Sequence, residues 1–117
     1  MKVKDYKELL IWQKGIDVVD RIYRISKGFP QDELYGLSAQ MRRSAVLIPS
    51  NIAEGFVRQH TKEYAQFLYI SLGSCAELET QIIVGHRQNY LTREDHDGLL
   101  EAINHEIRMI RSLIKKL

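Results

Sequence analysis

Apolar residues recur along this chain at steps of three and four, and four separate runs keep that rhythm. The first, residues 6–27, places Leu9, Trp12, Ile16, Val19 and Tyr23 on one face of a predicted helix, and Gly28 and Pro30 stop it. The second starts at Asp32 or Ser38, ends at Val57, and carries Leu37, Met41, Ala45, Ile48, Ile52 and Phe56. The third opens at Thr61, read as an N-cap, and runs to about Asn89 with Tyr64, Leu68, Leu72, Cys75, Ile82 and Ile83. The fourth follows a Thr92 cap backed by Glu94 and Asp95, with Leu99, Ile103, Ile107, Ile110, Ile114 and Leu117 as its stripe. No alternating, strand-like pattern competes with these runs. Short connections favour antiparallel neighbours, so residues 1–117 are expected to form one all-α domain, an antiparallel up-down-up-down four-helix bundle.

Pro49 sits inside the second run. It cannot donate to the Ala45 carbonyl and crowds it, at a typical cost of about 3 kcal/mol in a helix interior. Retained periodicity on both sides predicts a helix kinked near Pro49. Around that bend Arg43, Asn51, Glu54 and Arg58 fall within about 80° on an ideal wheel, a polar strip read as structural repair or as a ligand site. The same helix shows Val46, Ala53 and Val57, with Pro49, away from its core stripe. The first helix repeats this with Ile11, Val18, Ile22 and Ile25. No helix of a four-helix bundle is central, so surplus apolar faces point to a homo-oligomer, with Val46, Ala53 and Val57 at its interface.

Composition narrows the class. The chain has 44% hydrophobic and 27% charged residues, as an ordinary globular domain does. The lone Cys75 excludes an intrachain disulfide and suits the cytoplasm. No signal-peptide core or continuous apolar run of membrane-spanning length appears, so no membrane partner is expected. Net charge is only +2, yet residues 1–30 hold seven Lys and Arg against four Asp and Glu. Lys4, Lys7, Lys14, Arg21, Arg24 and Lys27 are therefore the candidate contacts to nucleic-acid phosphates.

The block RRSAVLIPSNIAEGFVR at residues 42–58 and SLGSCAELETQ at 71–81 resemble the bacterial four-helix-bundle proteins named after the 23S rRNA intervening sequence. YKELLIWQKGIDVVDRIY at 6–23 and FPQDELYGLSAQMRRSA at 29–45 extend the resemblance over nearly the whole chain. That family is similar to the accessory variability proteins of diversity-generating retroelements, pentameric barrels that bind nucleic acid and a reverse transcriptase. The resemblance implies a homopentamer and an RNA, DNA or nucleoprotein partner; it supplies no enzymatic activity.

Other chemistry finds little support in the spacing. Glu79 lies in the apolar stripe of the third helix and is expected to be a buried carboxylate, paired or protonated. Glu77 faces the opposite way. None of His60, His86, His96 or His105 follows a glutamate by three residues, so the bundle-type di-iron pattern is missing and no metal or cofactor is expected. Cys75 reads as a small core hydrophobe rather than a nucleophile. The reading is a non-enzymatic, cytoplasmic, homo-oligomeric binding or scaffold protein associated with nucleic acid. The alternative is a protein–protein interaction module that touches no nucleic acid.

Overall fold

The computed structural model describes residues 2–117 and contains four α-helices: α1 (Leu10–Ser26), α2 (Leu37–Val57), α3 (Thr61–Arg87) and α4 (Arg93–Lys116). Among the described residues there is no strand. Short 3-10 turns, Tyr6–Glu8 and Gln31–Glu33, precede α1 and α2. The turn before α1 begins at Asp5, whose carboxylate accepts the Lys7 amide at 2.9 Å. That turn takes up residues 6–8, so the expected helix from residue 6 becomes two elements.

Several helix ends have an identifiable local cause. Glu33 Oε1 accepts the Leu37 amide at 3.1 Å and so caps α2 from the preceding turn. The other oxygen of Glu33 accepts the Tyr90 hydroxyl at 3.0 Å, tying the start of α2 to the α3–α4 connection. Gln59 takes a left-handed φ of 63° between α2 and α3, and His60, not Thr61, is the extended cap residue. At the far end of α3, the Tyr90 amide bonds the Gly85 carbonyl and the Asn89 amide bonds the His86 carbonyl. With Asn89 at φ 65°, this pair of bonds is a Schellman C-cap. Thr92 caps α4 as the sequence predicts, its hydroxyl accepting the Asp95 amide at 3.1 Å.

Contacts between neighbouring helices pair low residue numbers with high ones. Ser71 Oγ donates to the Ile48 carbonyl, Ser44 Oγ donates to Glu77, and Gly55 lies against Tyr64 and Phe67. Gly15 meets Pro49 while Ser26 meets Arg42, and on the other side Gly15 meets Glu106 while Arg21 meets Gly98. Such registers place α2 between α1 and α3, with α4 closing the bundle against α1 and α3. Met41, Ala45, Ile48 and Ile52 of α2 are fully buried with Leu68, Cys75, Leu78 and Ile82 of α3 and Leu99, Ile103 and Ile110 of α4. α2 stays helical through Pro49, which is itself buried.

The face of α1 is reversed from the sequence expectation. Ile11, Gly15, Val18 and Ile22 are buried, whereas Leu9, Trp12, Ile16 and Val19 are half-buried and Tyr23 is exposed. The reason is Gly15: a Cβ there would lie 3.2 Å from Glu106 Oε2 and 3.4 Å from Pro49. A glycine at the centre of the inner face lets α1 approach both neighbours closely, while bulk alone suggests the face bearing Trp12. α3, alone among the described helices, is long and apolar enough to cross a membrane. Its buried side is bundle core, and its remaining apolarity lies outward at Tyr69, Ile70, Ile83 and Val84.

Candidate nucleic-acid interface

The six basic residues proposed from the sequence do not form one patch. Lys4 lies beside Phe56, Val57 and Gln59 at the C-terminal end of α2. Lys7 precedes α1, its ammonium 5.7 Å from the Tyr6 ring centre. Lys14 lines a small groove between α1 and α4 with Asp17, Arg21 and His105. Lys27 faces the α1–α2 side, near Phe29, Leu34 and Arg42. Arg21 borders the Lys14 groove and also turns, with Arg24, to a second site. They line a cleft of about 760 Å³ at the end of the bundle, completed by His86, Asn89, Tyr90, Thr92, Arg93 and Asp95.

Three local structures shape this cleft. The last two turns of α1 carry Arg21 and Arg24. The Schellman turn closing α3 turns the chain at Asn89 and sets Tyr90 against Phe29, with ring centres 5.4 Å apart. The capped first turn of α4 carries Arg93 and Asp95. Gly98 lets the Arg21 guanidinium lie across α4, since a Cβ there would be 2.8 Å from Nη2. Among the described residues neither Arg21 nor Arg24 is paired with a carboxylate, while Arg93 stands 3.8 Å from Asp97. His86 and His96 stack with ring centres 4.4 Å apart, and His96 Nδ1 lies 2.8 Å from Asp97. The hydrogen bond from His96, helped by Arg93, holds the Asp97 carboxyl below its usual range.

His86, Asn89 and Arg93 were missed as contributors. Arg93 carries a sequence signal, because a cation at the first position of a helix opposes the positive end of the helix dipole. No local pattern marks His86 and Asn89, which reach the cleft through the way α3 ends.

The polar strip of α2 does not assemble as one site. Arg58 pairs with Glu54 at 3.0 Å, reaches Glu63 at 3.6 Å, and its guanidinium sits 5.1 Å from the Phe67 ring centre. Asn51 Nδ2 donates to the Leu47 carbonyl at 2.8 Å rather than to the Ala45 carbonyl that Pro49 deprives of its donor. Arg43 is exposed and fifteen residues from Arg58, roughly 22 Å along a helix. Of the expected interface residues, Val46 and Val57 are exposed, at 38% and 54%, and Ala53 is half-buried.

The buried carboxylate expected at Glu79 is found at Glu106. Glu79 is only half-buried, and burial raises its pKa. Glu106 is 0% exposed, and among the described residues neither carboxylate oxygen has a hydrogen-bond partner. Burial, with the Asp17 charge adding to it, pushes the Glu106 pKa up to about 8. Cys75 is fully enclosed, and burial, then the charges of Glu106 and Glu79, push its thiol up to about 12. Among the described residues no three His, Cys, Asp or Glu side chains are grouped to hold a metal ion. Glu77 is exposed, as expected, and its carboxylate also accepts the Ser44 hydroxyl at 2.6 Å.

Taken together, the helices and their end cleft define a small helical-bundle protein with arginines gathered at one end. Residues 7–112 match the 23S rRNA-intervening sequence protein family, and the chain belongs to that family. A solved structure similar to this chain is a protein of unknown function from the S23 ribosomal protein family of Bacteroides thetaiotaomicron. The two share 24% identity with a TM-score of 0.84, over 91% of this chain and 99% of that one, a likeness of fold. No curated protein matches the chain.

Proposed function

We propose that this protein is a non-enzymatic, self-assembling bundle in the cytoplasm that binds RNA or DNA through phosphate contacts. The observation that carries the reading is the meeting of Arg21, Arg24 and Arg93 in one cleft, with Arg21 and Arg24 free of carboxylate partners among the described residues. Guanidiniums left unpaired by their own protein suit phosphate recognition, because each presents a planar fork of donors. Lys14 extends the same positive edge along the α1–α4 groove. A buried thiol with a pKa of about 12 offers no nucleophile, which supports a binding rather than a catalytic role.

Self-assembly is supported by the outer face of α3. Tyr69 and Ile70 are more than half exposed, Ile83 and Val84 are also exposed, and a Cβ at Gly73 would meet nothing within 4 Å. A mid-helix glycine with no neighbour lowers helix stability without any gain inside this chain. A second copy packed on α3 would supply that gain, with Val46 and Val57 of α2 as further apolar surface. Five copies in a ring is the assembly proposed, following the family resemblance, and no membrane takes part.

The test is retention of single- and double-stranded RNA and DNA by the assembled protein as salt is varied. Affinity should fall steeply with salt, and each phosphate contact removed, as in Arg24→Gln, should lower the log–log slope by about one. Absence of retention at low salt overturns the nucleic-acid reading. The second reading, a module for another protein, rests on the same α3 face and requires that Arg24→Gln leave partner capture unchanged.

A further inference from the structure

The cleft at the end of the bundle, at about 760 Å³, is roomier than the groove of about 190 Å³ that Lys14 lines, and it gathers three arginines. Arg21 and Arg24 form one wall, Asn89 and Tyr90 a second, and Arg93 with the first turn of α4 a third. Three guanidiniums line the cleft with one carboxylate, Asp95, and Asp97 stands 3.8 Å from Arg93, so the surplus at the cleft is one positive charge, carried on the Arg21–Arg24 wall. Within α4 the first-turn amides have no helical acceptor of their own, and only that of Asp95 is taken by Thr92. Those free amides point toward the N-terminal side of the helix, where its dipole favours an anion.

An internal phosphodiester carries a single charge and brings a sugar on each side, which a three-walled cleft has to accommodate at both ends. A phosphate monoester carries close to two charges at neutral pH, its second pKa being about 6, and offers three terminal oxygens on one side only. We propose that the cleft of Arg21, Arg24, Asn89 and Arg93 binds a phosphate monoester, presented by the end of a nucleic-acid strand or by a free nucleotide. For the strand-end source, the inference rests on the nucleic-acid reading above.

The experiment compares a 3′-labelled oligoribonucleotide bearing a 5′-phosphate with the same strand bearing a 5′-hydroxyl, by fluorescence anisotropy on the assembled protein. Adenosine monophosphate and inorganic phosphate serve as competitors and, separately, as ligands in calorimetric titration. The phosphorylated strand should bind about tenfold more tightly, the effect of one charge-assisted contact set. Arg24→Gln and Arg93→Gln, both at exposed positions, should erase that preference, and Lys115→Gln at the far end of α4 should keep it. Circular dichroism establishes that each variant is folded. Equal binding of the two strands overturns the inference and leaves the nucleic-acid reading intact. Saturable binding of the nucleotide alone, lost in Arg24→Gln, supports the cleft with a free ligand and overturns the nucleic-acid reading. If neither strand nor nucleotide binds, both fall.

Discussion

Replacing Glu106 with glutamine should flatten the pH dependence of stability. Glu106 is fully buried, lacks a partner for either oxygen among the described residues, and has its pKa pushed from 4.5 up to about 8. Of the groups around it, Asp17 on α1 repels its charged form and Cys75 on α3 is a neutral thiol, while α2 presents the uncharged Pro49 beside Gly15. The folded chain therefore holds a proton that the unfolded chain releases above about pH 4.5. Where the native state binds more protons, stability falls as pH rises. Stability due to this group is complete in acid, declines from about pH 4.5, and is exhausted once pH passes about 8. At about 1.4 kcal/mol per pH unit, reduced near pH 5 and pH 8 where the two states differ by less than a full proton, the loss over the interval comes to about 3.5 kcal/mol. Urea denaturation followed by circular dichroism at those two pH values measures it. Wild-type protein should lose about 3.5 kcal/mol more than Glu106→Gln across the interval, whatever the fixed difference between them from burying an amide. Parallel pH profiles for the two proteins would refute the reasoning, since they would mean that Glu106 ionises alike folded and unfolded.

Three further outcomes follow from packing. Gly55→Ala should destabilise the bundle by about 1–3 kcal/mol in urea melts, because its Cβ would lie 2.7 Å from Phe67 Cβ and 3.2 Å from the Tyr64 carbonyl. Gly73→Ala meets no such obstacle and should raise the stability of the isolated chain by about 1 kcal/mol through helix propensity. Sedimentation equilibrium should show the same Gly73→Ala change weakening self-association, and unchanged association would exclude close packing on α3. Arg42→Ala should cost about 1–2 kcal/mol in thermal or urea melts, through loss of the 2.8 Å bond to Ser26 and of the guanidinium 4.8 Å from the Tyr23 ring.

Sequence periodicity located all four helices because three- and four-residue spacing survives any detail of packing. The Thr92 cap was legible for the same reason: its chemistry is local. Two kinds of information were not. Which face of α1 turns inward depends on Gly15, whose contribution is the absence of a side chain and carries no weight in a hydrophobic pattern. Glu106 stands three residues after Ile103 and four before Ile110, squarely in the inner stripe of α4, but its polarity directed attention to the neighbouring Ile107. Burying a carboxylate is costly enough that a sequence pattern argues against it, and only the three-dimensional packing overrules that. The cleft was half legible. Arg21 and Arg24 were visible as positive charge, but their convergence with Arg93 and Asn89 arises where three helix ends meet, from residues more than sixty positions apart.

The enclosure of Cys75 makes the chain its own stopwatch. At neutral pH a thiol with a pKa of about 12 is almost wholly protonated and, at 0% exposure, out of reach of an alkylating reagent. Modification can proceed only in molecules whose core has opened, so the rate of alkylation reports how often α3 parts from α4. No probe need be introduced. The chain has no second cysteine, and the one it has stands beside Glu106, the group whose ionisation should make such openings more frequent.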